Sequence, residues 1–168
     1  MSPELDKQLC EKYPLIFADR NADMSQTAMC WGFECGGGWY DILDALCAAI
    51  QNHIDQRQRG IEWDINFNEK MEEAKNNNWE NWPQYHVREP RVVRQAIPQV
   101  VAVQVKEKFG GLRFYYDGGD EHIEGLVQMA EQMAERTCEM CGNKGKLYQT
   151  GWHRTLCKMH AEEQGYDV

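Results

Sequence analysis

Apolar residues recur at three- and four-residue steps from Trp39 through Ile42, Leu43, Leu46, Cys47 and Ile50 to Ile54. That is the period of one buried helical face. The run Gly36-Gly37-Gly38 precedes this helix, which is expected to fade near Gly60. A second stripe, Ile123, Leu126, Val127, Ala130, Met133 and Ala134, follows Asp120 and leads straight into Cys138. Between the two stripes the pattern changes. Val100, Val101, Val103 and Val105 precede Gly110-Gly111, and Leu112, Phe114 and Tyr116 alternate beyond it, which predicts a β-hairpin turning at the two glycines. A helix over 99–109 stopped by Gly110 is the competing reading.

The remaining segments are less regular. Glu4 to Lys12 predicts a short helix ending at Tyr13-Pro14, and a turn-rich stretch follows to Trp39. Residues 61–84 are polar and Asn-rich, carry Trp63, Trp79 and Trp82, and include a solvated helix over Asn66–Asn77. Pro83, Pro90 and Pro98 then break the chain, so 56–97 reads as an irregular insertion over the core surface. The expected fold class is α+β. A small antiparallel sheet packs with helices in a core of residues 1–137, and a zinc-binding module occupies 138–168.

That module rests on spacing. Cys138 and Cys141 are separated by two residues, fifteen follow, and Cys157 and His160 are again two apart. Zinc takes four tetrahedral ligands, and paired residues at this spacing turn inward together at a knuckle. Gly142 permits the close backbone path, Gly145 and Gly151 flank a short hairpin, and Cys157 opens a terminal helix with His160 on the same face. A knuckle, hairpin and helix in this order resemble a treble-clef zinc finger. Four ligands close the shell, so a single structural Zn2+ is expected rather than a catalytic one.

Composition narrows the functional classes. No apolar run approaches the length of about 18 residues that a membrane span needs. The N-terminus has no apolar signal region, and seven cysteines form an odd set, so a reducing cytoplasm is expected. A net charge of −9 argues against broad, non-specific binding to DNA. Within the acidic chain, however, residues 85–116 hold six bases against two acids. Arg88, Arg91, Arg94, Lys106, Lys108 and Arg113 are interleaved there with Tyr85, Phe109, Tyr115 and Tyr116. Guanidinium and ammonium groups hold phosphates and aromatic rings stack bases, so Arg88, Arg91, Arg94, Lys106, Lys108, Arg113 and Tyr115 are the candidate ligand-binding set. The bland alternative is a solvated sheet face whose bases pair with the acidic helix that follows.

The other cysteines suggest two further ideas. Cys30, Cys35 and Cys47, with Cys10, could form a second metal site, although Cys47 lies on an apolar helical face and reads as core. Cys35 precedes a helix N-terminus that could lower its pKa, making it a nucleophile with His53, His86 or His153. Against this, the glycines after Cys35 read as a turn packed beside Trp31, Phe33 and Trp39. They are not a phosphate loop, because the Lys and Ser/Thr of that motif are missing. No catalytic residue is assigned.

Three segments, Cys35-Gly-Gly-Gly-Trp39, Val105-Lys-Glu-Lys-Phe-Gly-Gly-Leu-Arg-Phe-Tyr115 and Gly151-Trp-His-Arg-Thr-Leu-Cys157, resemble a group of small phage and prophage proteins. The resemblance leaves out residues 56–95. It implies a bacterial cytoplasm and an accessory role such as countering a host defence, and it carries no catalytic residues with it. The sequence therefore predicts a non-catalytic protein that sequesters an anionic nucleotide-like or nucleic-acid ligand on the basic-aromatic hairpin. The alternative is a protein–protein inhibitor that docks a host protein through its acidic surface and Trp63, Trp79 and Trp82. Oligomerisation is compatible with either.

Overall fold

A computed structural model of the chain describes residues 1–77 and 88–168. Trp79, Trp82, Tyr85 and His86, singled out above, lie outside the described residues. The chain forms two compact units, one of residues 1–51 with 98–168 and one of residues 52–97. Residues 138–168, read as a separate module, thus belong to the same unit as the hairpin.

In the first unit, α1 spans Pro3–Lys12. Its start is capped by the Ser2 hydroxyl, which accepts from the Leu5 N–H, and Pro3 occupies a first-turn position where no donor is needed. Two short 3-10 turns lead to β1, Phe33–Glu34. The predicted hairpin is present. β2, Val101–Lys108, pairs antiparallel with β3, Gly111–Asp117, and β1 adds to β2 in parallel, giving the order β1-β2-β3. The turn residues are Phe109 and Gly110 rather than the two glycines, because Lys108 pairs with Gly111. Both have positive φ, 54° and 79°, as a type I′ turn requires.

Helix α3, Glu121–Ala134, starts where the Asp120 carboxylate accepts from the Ile123 N–H, and it buries Ile123, Val127, Ala130 and Ala134. The core they join includes Leu9, Ile16, Met29, Trp39, Leu43, Ile50, Val100, Val105 and Leu112, all fully buried. The chain then makes a small antiparallel sheet, β4 at Lys146–Tyr148 and β5 at Arg154–Leu156, before α4 at Lys158–Glu163. Helices and small sheets are thus combined as an α+β arrangement, with one parallel pairing in an otherwise antiparallel sheet.

The helix after the glycine run is the largest departure from expectation. α2 extends from Tyr40 to Asn76, straight through Gly60, so residues 56–76 of the stretch read as irregular are helical. Within the second unit, residues 88–97 run beside this helix without regular secondary structure and are fastened to it by side chains. Asn68 and Arg91 exchange side-chain-to-backbone hydrogen bonds of 2.9 and 2.7 Å, and Arg57 donates to the Gln95 carbonyl. The Arg94 guanidinium crosses Gly60 so closely that a Cβ there would lie 2.1 Å from Nη1. Gly60 is therefore a packing site within the helix, tolerated at a propensity cost of about 1 kcal/mol.

Candidate metal and ligand sites

The knuckle is assembled locally. The Cys138 N–H donates to the Asn143 carbonyl, the Gly142 N–H returns to the Cys138 carbonyl, and Gly142 has a φ of 76°. Cys157 caps α4 and His160 sits one turn into it. The ligand atoms of Cys138, Cys141, Cys157 and His160 all lie within 4.8 Å of one another. Individual separations are 3.8 Å for Cys141 Sγ to Cys157 Sγ, 3.5 Å for Cys138 Sγ to His160 Nδ1 and 3.2 Å for Cys157 Sγ to His160 Nδ1. A tetrahedral zinc with sulfur at about 2.3 Å and nitrogen at about 2.0 Å would set such atoms roughly 3.5–3.8 Å apart. The cluster can hold a metal ion through Nδ1 of His160, while its Nε2 faces Glu163 at 3.9 Å.

Electrostatics favours thiolate character where it is most buried. Burial alone would raise the Cys138 thiol. The backbone N–H groups of Cys157, Cys141 and Met140 outweigh that and hold it below its ordinary value. Burial and the neighbouring Cys138 and Cys157 thiols raise Cys141. Crowded thiols resist ionising together unless a cation neutralises them.

The glycine run turns out to seat this knuckle. A Cβ on Gly38 would lie 2.2 Å from the Cys138 carbonyl oxygen, and one on Gly36 would lie 2.2 Å from that of Glu139. Gly38 donates its N–H to the Glu139 carbonyl at 2.8 Å, and Gly36 donates to the Glu139 carboxylate at 2.9 Å. Trp39, fully buried, donates its indole N–H to the Thr137 carbonyl. Buried Glu139 is completed by Arg154 at 2.9 Å. Only residues without side chains let two backbones approach this closely.

The remaining cysteines do not gather. Among the described residues the C-terminal set is the only group of three or more potential ligands that converges, and Cys30, Cys35 and Cys47 are not part of one. The activation considered for Cys35 is not found. Burial, opposed by the Met1 ammonium and reinforced by Glu139 and Glu107, pushes its thiol up to about 12.

The basic island divides between the two units. In the second unit, the Arg91 guanidinium stacks on Trp63 and Phe67, 3.7 and 4.3 Å from the ring centroids. Arg94 pairs with the buried Asp64 at 3.1 Å, with Arg91 at 3.8 Å. The Arg88 backbone N–H meets Met71 Sδ, and the residue is exposed. In the first unit, the register sets Lys106 opposite Arg113 and Gln104 opposite Tyr115. Lys106, Lys108, Arg113 and Tyr115 therefore share one face of the hairpin. Lys106 lies 5.6 Å over the Tyr115 ring, and Arg113 faces Glu131 of α3 at 3.8 Å. Tyr115 is exposed and Lys106 and Arg113 half-buried.

Two rings absent from the candidate set stand at the hairpin tip. Phe109 is 70% exposed and Trp152 is 75% exposed, and both line a cavity of about 380 Å³ with Glu107, Lys108, Gly151 and His153. Phe109 meets His153 edge to face at 6.3 Å, with the Lys108 ammonium 5.7 Å from its centroid. Glu107 accepts from the Gly110 N–H at 2.6 Å, which fixes the turn. An exposed Trp beside Gly151, close in sequence to the metal ligands, was the available signal. That it lines one cavity with Phe109 depends on tertiary structure.

No helix among the described residues is long and apolar enough to cross a membrane. Comparison of the chain with protein-family models, curated proteins and solved structures found no match.

Proposed function

We propose that this is a zinc-stabilised, non-catalytic protein that captures an anionic nucleotide-like ligand at the tip of its basic hairpin. The observation that carries this reading is the 380 Å³ cavity in which Lys108, Phe109, Trp152 and His153 meet. Exposed aromatic faces stack bases, and Lys108 and Lys106 supply phosphate contacts without broad affinity for DNA. Arg91 and Arg94 are assigned instead to holding the second unit together, where Arg88 is exposed.

In this reading the metal is one structural Zn2+, and the knuckle, β4–β5 hairpin and α4 form a treble-clef-like finger that braces the cavity. The resemblance to phage proteins adds a physiological setting. Acting in a bacterial cytoplasm, an accessory protein of this kind would counter a host defence by sequestering a nucleotide signal. Isothermal calorimetry of zinc-replete protein against mono-, di- and cyclic nucleotides tests the reading. Binding that is lost in Trp152→Ala and weakened in Lys108→Gln supports it, and no heat with any nucleotide overturns it.

A further inference from the structure

The segment after the knuckle reverses the charge of the chain. From Gly142 to Ala161 there is no Asp or Glu, and the stretch holds Lys144, Lys146, Arg154 and Lys158. The whole protein, by contrast, carries a net charge of −9. Arg154 is already occupied, bonded to Glu139 at 2.9 Å and to Gln164 at 3.1 Å. The three lysines are exposed, and together they line a cavity of about 350 Å³ with Tyr148, Leu156 and Val168.

Backbone pairing explains the convergence. Lys146 stands opposite Leu156 in the β4–β5 ladder. Lys144 and Lys158 lie two positions outside that pair, one on each chain segment, so the end of the ladder gathers all three lysines. The Gly145 N–H donates to the Arg136 carbonyl at 2.8 Å, and Lys144 bridges Thr137. A Cβ on Gly145 would lie 2.8 Å from the Cys138 nitrogen, so the backbone between the first two lysines is held against the knuckle.

Their charge is open to a ligand. Among the described residues, Lys158 alone of the three meets a carboxylate, Glu162 at 3.8 Å, and both of those side chains are exposed. A surface pair of that kind is weak and yields to a more highly charged anion. Lys146 lies 4.8 Å over the Tyr148 ring, which is therefore not offered to a base. Lysine holds phosphate as a point charge and does not impose the planar two-point geometry of arginine. Three lysines in one cavity thus select charge density. A carboxylate, or the single charge each nucleotide gives a nucleic-acid backbone, matches only one ammonium. A condensed phosphate chain brings several charges close together and matches all three.

We propose that Lys144, Lys146 and Lys158 form a binding site for an oligophosphate group, either free or as the phosphate chain of a nucleotide. The site shares no residue with the hairpin-tip cavity and does not depend on the reading given to that cavity.

Isothermal calorimetry of the full chain, with zinc content measured before and after, compares tripolyphosphate, orthophosphate, ATP and a short single-stranded oligonucleotide. Tripolyphosphate should bind at least about tenfold more tightly than orthophosphate. Lys144→Gln/Lys146→Gln, which changes only exposed side chains and whose fold is checked by circular dichroism, should lose at least about tenfold in affinity and become less sensitive to salt. Lys144→Arg/Lys146→Arg should retain the binding. Trp152→Ala should leave tripolyphosphate affinity unchanged, so this site and the hairpin tip are read separately. ATP binding as tightly as tripolyphosphate, and lost in the same Gln variant, assigns the phosphate chain of a nucleotide; weaker ATP binding assigns the free anion. The proposal is overturned by equal binding of orthophosphate, by tighter binding of the oligonucleotide, or by an affinity that the Gln variant leaves unchanged. Loss of binding in Trp152→Ala, or heat that tracks release of zinc, overturns it as well.

Discussion

The Thr155 hydroxyl donates to the Gly110 carbonyl at 2.6 Å, joining β5 of the segment that carries the Cys/His cluster to the turn of the β2–β3 hairpin. Thr155 is completely buried, and the contact spans 45 residues of sequence. On the same turn, a Cβ at Gly110 would lie 2.3 Å from Leu147 Cδ1 of β4. The segment carrying the Cys/His cluster is thus a brace for the hairpin tip. Thr155→Val keeps the shape and leaves the buried carbonyl without its donor, which costs about 1–3 kcal/mol. Urea denaturation should show this loss, and Thr155→Ser should recover most of it. Equal midpoints for Val and wild type would mean the hydroxyl does not brace the turn.

Removing the metal should cost folding before it costs chemistry. Cys138 of the cluster is buried with Tyr148, Leu156 and Ala161, a core too small to hold this segment alone. One equivalent of zinc should be found by elemental analysis. A chelator, or Cys141→Ser, should lower the melting temperature and weaken nucleotide binding together. Metal loss with an unchanged melting temperature would contradict a structural role.

How much of this was legible in the sequence follows from the range of each interaction. The convergence of Cys138, Cys141, Cys157 and His160 was readable because two knuckle-spaced pairs encode their own geometry. The hairpin was readable because valines recur through β2 and Leu112, Phe114 and Tyr116 alternate through β3. Its turn was misplaced by one residue, since alternation cannot distinguish Phe109-Gly110 from Gly110-Gly111 when the register is set across strands. Gly60 looked like a helix stop because Arg94, which fills the space above it, is 34 positions away. Gly36 and Gly38 looked like a turn, and their purpose appears only against Cys138 and Glu139, about a hundred residues on. The basic island was a true feature of composition, but tertiary structure assigned its halves to different units.

Asp64 tests that division. It is 2% exposed and is neutralised by Arg94 and Arg91. Asp64→Ala leaves Arg94 and Arg91 half-exposed and able to reach solvent, so the cost is that of lost hydrogen bonds to a charged group, about 1.5–3 kcal/mol. Asp64→Ala should therefore raise hydrogen exchange across residues 88–97 and speed proteolysis there. Nucleotide affinity at the hairpin tip should stay unchanged. A parallel loss of affinity would bring Arg91 and Arg94 back into the ligand site.

Asp44 supplies an acid-limb test. Hydrogen bonding to the Lys12 ammonium, at 2.7 and 2.9 Å, lowers its pKa below 3.8, with burial opposing and Tyr13 assisting. A carboxyl whose folded pKa is depressed contributes stability above its unfolded pKa and loses it as pH falls through the folded value. Wild type should therefore be more stable than Asp44→Asn at neutral pH, with the difference shrinking below about pH 4. Denaturation midpoints at several pH values measure this, and a constant difference would exclude the ion pair as its source.

Phe109 separates stability from function. Its φ of 54° places a bulky residue in the left-handed region, where non-glycine residues lose roughly 1–2 kcal/mol. Asparagine tolerates that conformation, and Asn-Gly is the preferred pair for a type I′ turn. Phe109→Asn also removes the ring's contacts with His153 and Lys108, worth about 1 kcal/mol together at an exposed site. The net expectation is a melting temperature equal to or above that of wild type. Nucleotide affinity should meanwhile fall at least about tenfold, because one stacked base is worth roughly 1–3 kcal/mol. That opposition is what a ligand-binding ring held at a conformational cost must produce. Lower stability with affinity intact would instead make Phe109 a structural residue and move the ligand site elsewhere.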